Sequence, residues 1–222
     1  TGGDSFVAMV SDGDLHDTIT VNLTVSNVND APVITQGDGP LTKSVAEEGT
    51  ATWAVSDLNA TDVDVGDPLT WSVSSAASNG TATVSGSGAS PTTFTYSPNA
   101  DFNGTDSFVV LVSDGDLNDT ITVNMTVTAV DDSPSFTCTA ITSAQSGNLY
   151  SYDVRANDAD GNATLGLTVV AKPSWLSTFT DQGQGRAVLS GVPTDADFGS
   201  HSVSLRATDG NGTFADQNFT IG

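Results

Sequence analysis

The stretch Asp4-Ser5-Phe6-Val7-Ala8-Met9-Val10-Ser11-Asp12-Gly13-Asp14-Leu15-His16-Asp17-Thr18-Ile19-Thr20-Val21-Asn22-Leu23-Thr24-Val25 reads as a β-hairpin. Phe6, Ala8 and Val10 alternate with their neighbours, as do Ile19, Val21, Leu23 and Val25, and the loop from Asp12 to Asp17 carries an Asp-Gly turn signal. The same text returns about a hundred residues later. Residues 1–33 align with 103–135 without a gap, and 22 of the 33 positions are identical. A repeat of this kind fixes the structural unit before any single element is assigned.

The second copy marks the end of a unit, so the first copy marks the end of an earlier one. Residues 1–30 are then the C-terminal hairpin of a truncated repeat. Residues 31–132 form a complete unit opening at Ala31-Pro32-Val33, and residues 133–222 form another opening at Ser133-Pro134. Each complete unit has the size of a β-sandwich of short strands with turn signals every 8–12 residues. Both ends of the sequence read as cut from a longer array. A lone two-stranded hairpin is marginal in water, so residues 1–30 call for a partner. The preferred source is the missing rest of their own unit; the second is another chain, by strand addition.

Composition narrows the function. The 222 residues carry 27 acids against five bases, a formal net charge of -22, and 25 of the acids are Asp while only Glu47 and Glu48 are Glu. Asp favours turns and Glu favours helices, which puts the acids in loops. So anionic a surface repels nucleic acid and anionic membranes, both of which need Lys and Arg. Bound cations are the natural partners. The Asp bias favours calcium and turns over adaptation to high salt, which would use Glu as freely. There is no run of about 18 apolar residues to span a membrane. The single cysteine, Cys138, excludes a disulfide scaffold and reads as a small buried hydrophobe.

The segment Phe94-Thr95-Tyr96-Ser97-Pro98-Asn99-Ala100-Asp101-Phe102-Asn103-Gly104-Thr105-Asp106-Ser107-Phe108 resembles a signature of prokaryotic cadherin-like repeats, and Asn27-Val28-Asn29-Asp30-Ala31-Pro32 resembles the linker of that family. Glu47-Glu48 and Asp62-Val63-Asp64-Val65-Gly66-Asp67 extend the resemblance over nearly all of residues 1–132. Residues 133–222 resemble a sister family, the dystroglycan-type cadherin-like or immunoglobulin-like repeat, through Lys172-Pro173-Ser174-Trp175-Leu176, Leu189-Ser190-Gly191-Val192-Pro193, Asp195-Ala196-Asp197 and Ala207-Thr208-Asp209-Gly210. They depart from it at Gln145-Ser146-Gly147, where the pattern wants an acid. The resemblance implies an all-β fold: tandem immunoglobulin/cadherin-like Greek-key β-sandwiches in a linear array. It also implies a secreted or cell-surface protein.

In such repeats calcium sits between consecutive units. Carried over residue by residue, a first junction would use Asn29, Asp30, Glu47 or Glu48, Asp62, Asp64 and Asp114; a second would use Asp131, Asp132, Asp158, Asp160 and Asp209. The chemistry agrees independently of family: calcium takes six to eight hard oxygens, and alternate residues of an Asp-x-Asp loop can turn two carboxylates to one side. Asp-Gly and Asp-x-Asp are also ordinary turn chemistry. That is the preferred reading for Asp195 and Asp197, and Asp4 and its copy Asp106 are read as turn caps.

Nine Asn-x-Ser/Thr sequons, at Asn22, Asn59, Asn79, Asn103, Asn118, Asn124, Asn162, Asn211 and Asn218, use most of the 14 asparagines. They are candidate glycosylation sites, or coincidences in a Thr-rich β protein. Catalysis has little support: His16 is replaced by Asn118 in the duplicate, and His201 stands alone. Trp53, Trp71 and Trp175 read as core; a sugar platform would need them exposed. The expectation is a non-catalytic, calcium-stiffened stalk, filament or cell-envelope array element, with an adhesive module for a protein or glycan ligand as the alternative. Its partners would be neighbouring repeats of the same protein, with strand exchange or homopolymer contacts.

Overall fold

The computed structural model describes residues 2–64, 66, 68–161 and 164–222. Val65 and Asp67 of the acidic 62–67 run and the sequon at Asn162 lie outside the described residues. The chain is all-β and divides into two compact units, Thr1–Thr128 and Ala129–Gly222. No helix of the described residues is long and apolar enough to cross a membrane.

The first unit begins with the hairpin read from the sequence, β1 (Gly2–Ser11) and β2 (His16–Val25), which forms a two-stranded sheet by itself. After it come β3 (Val33–Ile34), β4 (Leu41–Ala46), β5 (Ala51–Thr52), β6 (Ala60–Thr61), β7 (Thr70–Ser75), β8 (Gly80–Ser87), β9 (Thr93–Pro98), β10 (Gly104–Ser113) and β11 (Asn118–Thr128). One face of the sandwich runs β4-β11-β10-β7 and the other runs β8-β9-β5, with β3 pairing β6 apart. Strand β8 joins the two faces: it pairs β9 from Gly80 to Ser85, then β7 at Gly86 and Ser87. Gly86 stands at that switch with φ +134, and a Cβ there would lie 2.4 Å from the Thr92 amide nitrogen. Only glycine fits such a corner.

Period-2 alternation buries Phe108, Val110 and Val112 of β10 with Ile121, Val123, Met125 and Val127 of β11. Each such side chain contributes on the order of 1.5–3 kcal/mol by leaving water. Trp53 stacks on Phe94 at 4.1 Å, and Phe108 lies between Phe94 and Tyr96. Asp106 does cap a turn: it accepts the amides of Ser78 (3.1 Å) and Asn79 (2.9 Å) and the Tyr96 hydroxyl (2.8 Å). Burial raises its carboxyl, but the Tyr96 hydroxyl and the backbone amides outweigh this and hold it below the usual range.

The second unit places β12 (Ser135–Phe136), β13 (Tyr150–Asn157), β15 (Thr178–Gly183) and β16 (Arg186–Gly191) in one sheet, and β14 (Gly166–Ala171), β17 (His201–Thr208) and β18 (Phe214–Ile221) in the other. Its core holds Tyr150, Tyr152, Leu167, Trp175, Leu189 and Leu205. Burial pushes the Tyr150 hydroxyl up to about 12. Cys138 is half-buried rather than enclosed, because its Sγ sits 2.9 Å from the Tyr152 hydroxyl at the edge of that core.

Candidate metal centres

In the first unit, short pairing of β3 with β6 (Val33 opposite Thr61, Ile34 opposite Ala60) brings the segment after β2 alongside the Asp62–Asp64 loop. Asn27 Nδ2 donates to Asp64 Oδ1 (2.5 Å), and the Asp30 amide donates to Asp64 Oδ2 (2.7 Å). Asn29 Nδ2 reaches Asp114 Oδ2 (3.0 Å), in the loop between β10 and β11. Asp62 Oδ1 accepts the Asp64 amide (2.9 Å). The Asp30 amide, and after it the Asn27 side chain, hold the Asp64 carboxyl low against the opposing charge of Asp114. Asp114 is likewise held low, first by the Leu117 amide and then by Asn29. The second oxygen of Asp62 is buried and has no hydrogen-bond partner among the described residues.

Five of the residues expected at the first junction, Asn29, Asp30, Asp62, Asp64 and Asp114, are therefore gathered at one end of the sandwich. Glu47 and Glu48 are not among them. Strand β4 runs parallel to β11, with Ala46 opposite Thr128, and the Glu47 amide donates to the Thr128 carbonyl (3.1 Å). The glutamates thus follow the far end of β11, whose first residue adjoins the Asp114 loop. At about 3.3 Å of rise per residue, the length of that strand separates them by ~30 Å. Glu47 is buried and Glu48 exposed.

In the second unit, the Asp132 amide donates to Asp160 Oδ2 (2.8 Å), and the Asp160 amide donates to Asp158 Oδ1 (2.9 Å). Asp209 gathers the amides of Asn211 (3.0 Å), Gly212 (2.6 Å) and Thr213 (2.8 Å), and Asn211 Nδ2 donates to Asp131. The Thr213 hydroxyl, foremost, holds Asp209 low. Asp158 moves the other way. It is 6% exposed, and burial first, then the charges of Asp160, Asp209 and Asp131, raise its carboxyl above the usual range. Four of the five acids expected at the second junction, Asp131, Asp158, Asp160 and Asp209, thus share one electrostatic neighbourhood, and the fifth, Asp132, is tied to it by its backbone amide.

Both clusters suit a hard divalent cation: the donors are carboxylate and amide oxygens, and Asp62 Oδ2 is a buried acceptor among the described residues without a hydrogen-bond donor. Sequence reasoning missed Asn27 and Asn211, whose amides brace the carboxylates. Their signal was their spacing, Asn27 two before Asn29 and Asn211 two after Asp209. Asp197 accepts the amide and hydroxyl of its own neighbour Thr194 (2.9 and 2.8 Å), the turn geometry expected of it.

Other expected positions fall as follows. Asn22, Asn103, Asn118, Asn124, Asn211 and Asn218 are exposed, while Asn59 and Asn79 are half-buried. Asn59 is engaged through both side-chain atoms, with Ser56 and Ser90. Trp53, Trp71 and Trp175 are all buried, which removes the tryptophan platform for sugars. His16 is exposed, and His201 Nε2 lies 2.6 Å from the Asp197 carbonyl.

Residues 29–128 match the family model described as "Bacterial Ig domain", and residues 133–222 match the one described as "Putative Ig domain". Residues 29–128 and 133–222 are immunoglobulin-like domains. No curated protein matches it. Solved structures similar to these repeats include the ectodomain of human Desmocollin-1 (14% identity over 95% of this chain and 40% of that one, TM-score 0.48). Others are extracellular cadherin domains 1-5 of Protocadherin Gamma B2 (16%, 100% and 45%, TM-score 0.47) and the endo-fucoidan hydrolase MfFcnA4 of glycoside hydrolase family 107 (22%, 100% and 34%, TM-score 0.37). The immunoglobulin-like tandem spans between about a third and under a half of these solved chains.

Proposed function

We propose that this chain is a non-catalytic region of an extracellular surface protein, and that calcium stiffens its repeats into a stalk, filament or envelope-array element. In this reading residues 1–30 are the closing hairpin of one repeat, residues 31–132 a second repeat and residues 133–222 a third. The observation that carries it is the buried Asp158 carboxyl, which the Asp132–Asp160–Asp158 contacts hold in the acid cluster and which burial first, then the charges of Asp160, Asp209 and Asp131, raise. Four acids held this close repel one another, and an expanded, loosened loop cluster is the cost without a cation. Asn29, Asp30, Asp62, Asp64 and Asp114 would hold calcium at the head of residues 31–132. Asp131, Asp132, Asp158, Asp160 and Asp209 would hold it at the head of residues 133–222.

Bound calcium supplies positive charge and a coordination shell that only several loops together can fill. The chain's own residues do the positioning. Asn27 and the Asp30 amide tether the 27–30 segment to Asp64, and Asn29 tethers it to Asp114, so filling the site would fix that segment on the sandwich. The partners proposed are neighbouring repeats of the same protein. Six exposed sequons suit a glycosylated surface, which intact-mass measurement of the natively expressed protein tests directly.

Calcium titration by calorimetry tests the assignment. Two classes of site are expected: Asp62→Asn with Asp64→Asn removes one, and Asp158→Asn with Asp160→Asn removes the other. Absence of heat in the unmodified chain would sink the reading.

A further inference from the structure

The hairpin of β1 and β2 repeats that of β10 and β11 down to its register, with Phe6 opposite Val21 as Phe108 is opposite Val123. Its inward set is Asp4, Phe6, Ala8, Val10, Ile19, Val21, Leu23 and Val25. The corresponding set in the second copy is Asp106, Phe108, Val110, Val112, Ile121, Val123, Met125 and Val127. The second set is buried throughout; in the first, Phe6, Val10, Ile19, Leu23 and Val25 are exposed. What covers the second set is therefore a template for what would cover the first. Strand β7 pairs antiparallel with the free edge of β10, β4 pairs parallel with that of β11, and the rings of Phe94 and Tyr96 close over Phe108.

Asp4 sharpens the match. It accepts the amide of its own neighbour Ser5 (2.8 Å), as Asp106 accepts that of Ser107 (2.8 Å). The remaining bonds of Asp106, from Tyr96 and the Ser78–Asn79 turn, have no counterpart at Asp4 among the described residues. A carboxylate kept on the inward face of an apolar hairpin is costly unless a framework brings donors to it.

We propose that the β1–β2 face is an interaction surface for an immunoglobulin-like framework of the kind formed by strands β3 to β9. Asp4 is its latch, accepting a tyrosine hydroxyl and two turn amides of that framework. The framework lies ahead of the hairpin in the same polypeptide, as β3 to β9 lie ahead of β10. A second copy of this chain is a poor source. Its framework is already filled by β10 and β11, so exchange would uncover one hairpin for each it covered. The proposal rests on the reading of residues 1–30 as a closing hairpin.

The test joins a second copy of residues 31–102 directly before Thr1 of the full chain, so that Thr1 takes the place of Asn103. Amide exchange in β1 and β2 should slow by roughly 100-fold or more relative to the unextended chain, and Asp4→Ala should lower the melting temperature of the added unit. Protection with a silent Asp4→Ala would overturn the latch and leave the hairpin reading standing. Unchanged exchange would overturn both. A concentration-dependent dimer that already protects the hairpin in the unextended chain would overturn the same-polypeptide framework. All arms are run in calcium, and the metal assignment is judged separately by calorimetry on the unextended chain.

Discussion

The hairpins Gly2–Val25 and Gly104–Val127 pair residue for residue in one register, yet Phe6 is 53% exposed where Phe108 is 1%, and Ile19 is 66% exposed where Ile121 is 2%. The comparison separates two contributions that usually arrive together. Alternation and the Asp-Gly turn suffice to specify the pairing, because the partner strand is local. Burial is not local: around the second hairpin it comes from β4, β7 and the rings of Phe94 and Tyr96. Equivalent side chains should therefore differ sharply in what they contribute to stability.

The widest gap is expected at the phenylalanines. Phe108→Ala should destabilise the first unit by about 3–5 kcal/mol through lost burial and a cavity, read by denaturant unfolding with Trp53 and Trp71 fluorescence. Phe6→Ala should change the same transition by less than about 0.5 kcal/mol. Equal effects would mean that the two phenylalanines are buried alike in solution. Next come the aspartates. Asp106→Ala strands the Tyr96 hydroxyl and two turn amides and should cost about 1–3 kcal/mol, while Asp4→Ala should be silent in this chain. The folded state holds Asp106 below its ordinary value, so its stabilisation is full above about pH 4 and is lost as pH falls through that lower value. An Asp106→Asn variant should flatten that part of the acid-unfolding curve.

The two acid clusters make a second contrast. Asp158 is raised in the folded state, so the cation-free second unit should gain stability as pH falls through that raised value toward the ordinary carboxyl range of about 4. Asp158→Asn should accordingly raise its melting temperature by about 2–5 °C in chelator and reduce the gain calcium brings. At the first cluster, Asp64→Asn should weaken calcium binding by about tenfold, comparable to losing one charged hydrogen-bonding group. Glu47→Gln should leave that site unchanged. A Glu47 effect equal to that of Asp64 would contradict the separation of the two ends of β11.

Much of this was readable from residue order. The duplication located the hairpins, alternation named their inward faces, and Asp-x-Asp spacing named loops that do converge. The two acid sets fared differently for a topological reason. Asp158, Asp160 and Asp209 sit in loops that the strand order returns to one end of the second unit. Glu47 and Glu48 follow β4, and whether β4 starts or finishes beside Asp114 depends on its parallel pairing with β11, which no local pattern encodes. The bracing by Asn27 and Asn211 was hidden for a similar reason: an amide in a linker looks like a turn former until its acceptor is brought across. The exposure of β1 and β2 could not be read from their alternation, which is the same in both copies.

Thermal unfolding of the intact chain in millimolar calcium and in excess chelator shows whether cations hold these loops together. A ligand that binds only the folded state stabilises it by about 2.7 kcal/mol at a hundred times its dissociation constant. Calcium should therefore raise the melting temperature strongly, and Asp158→Asn and Asp64→Asn should each reduce that rise. Superimposable curves in calcium and chelator would contradict a cation-held cluster.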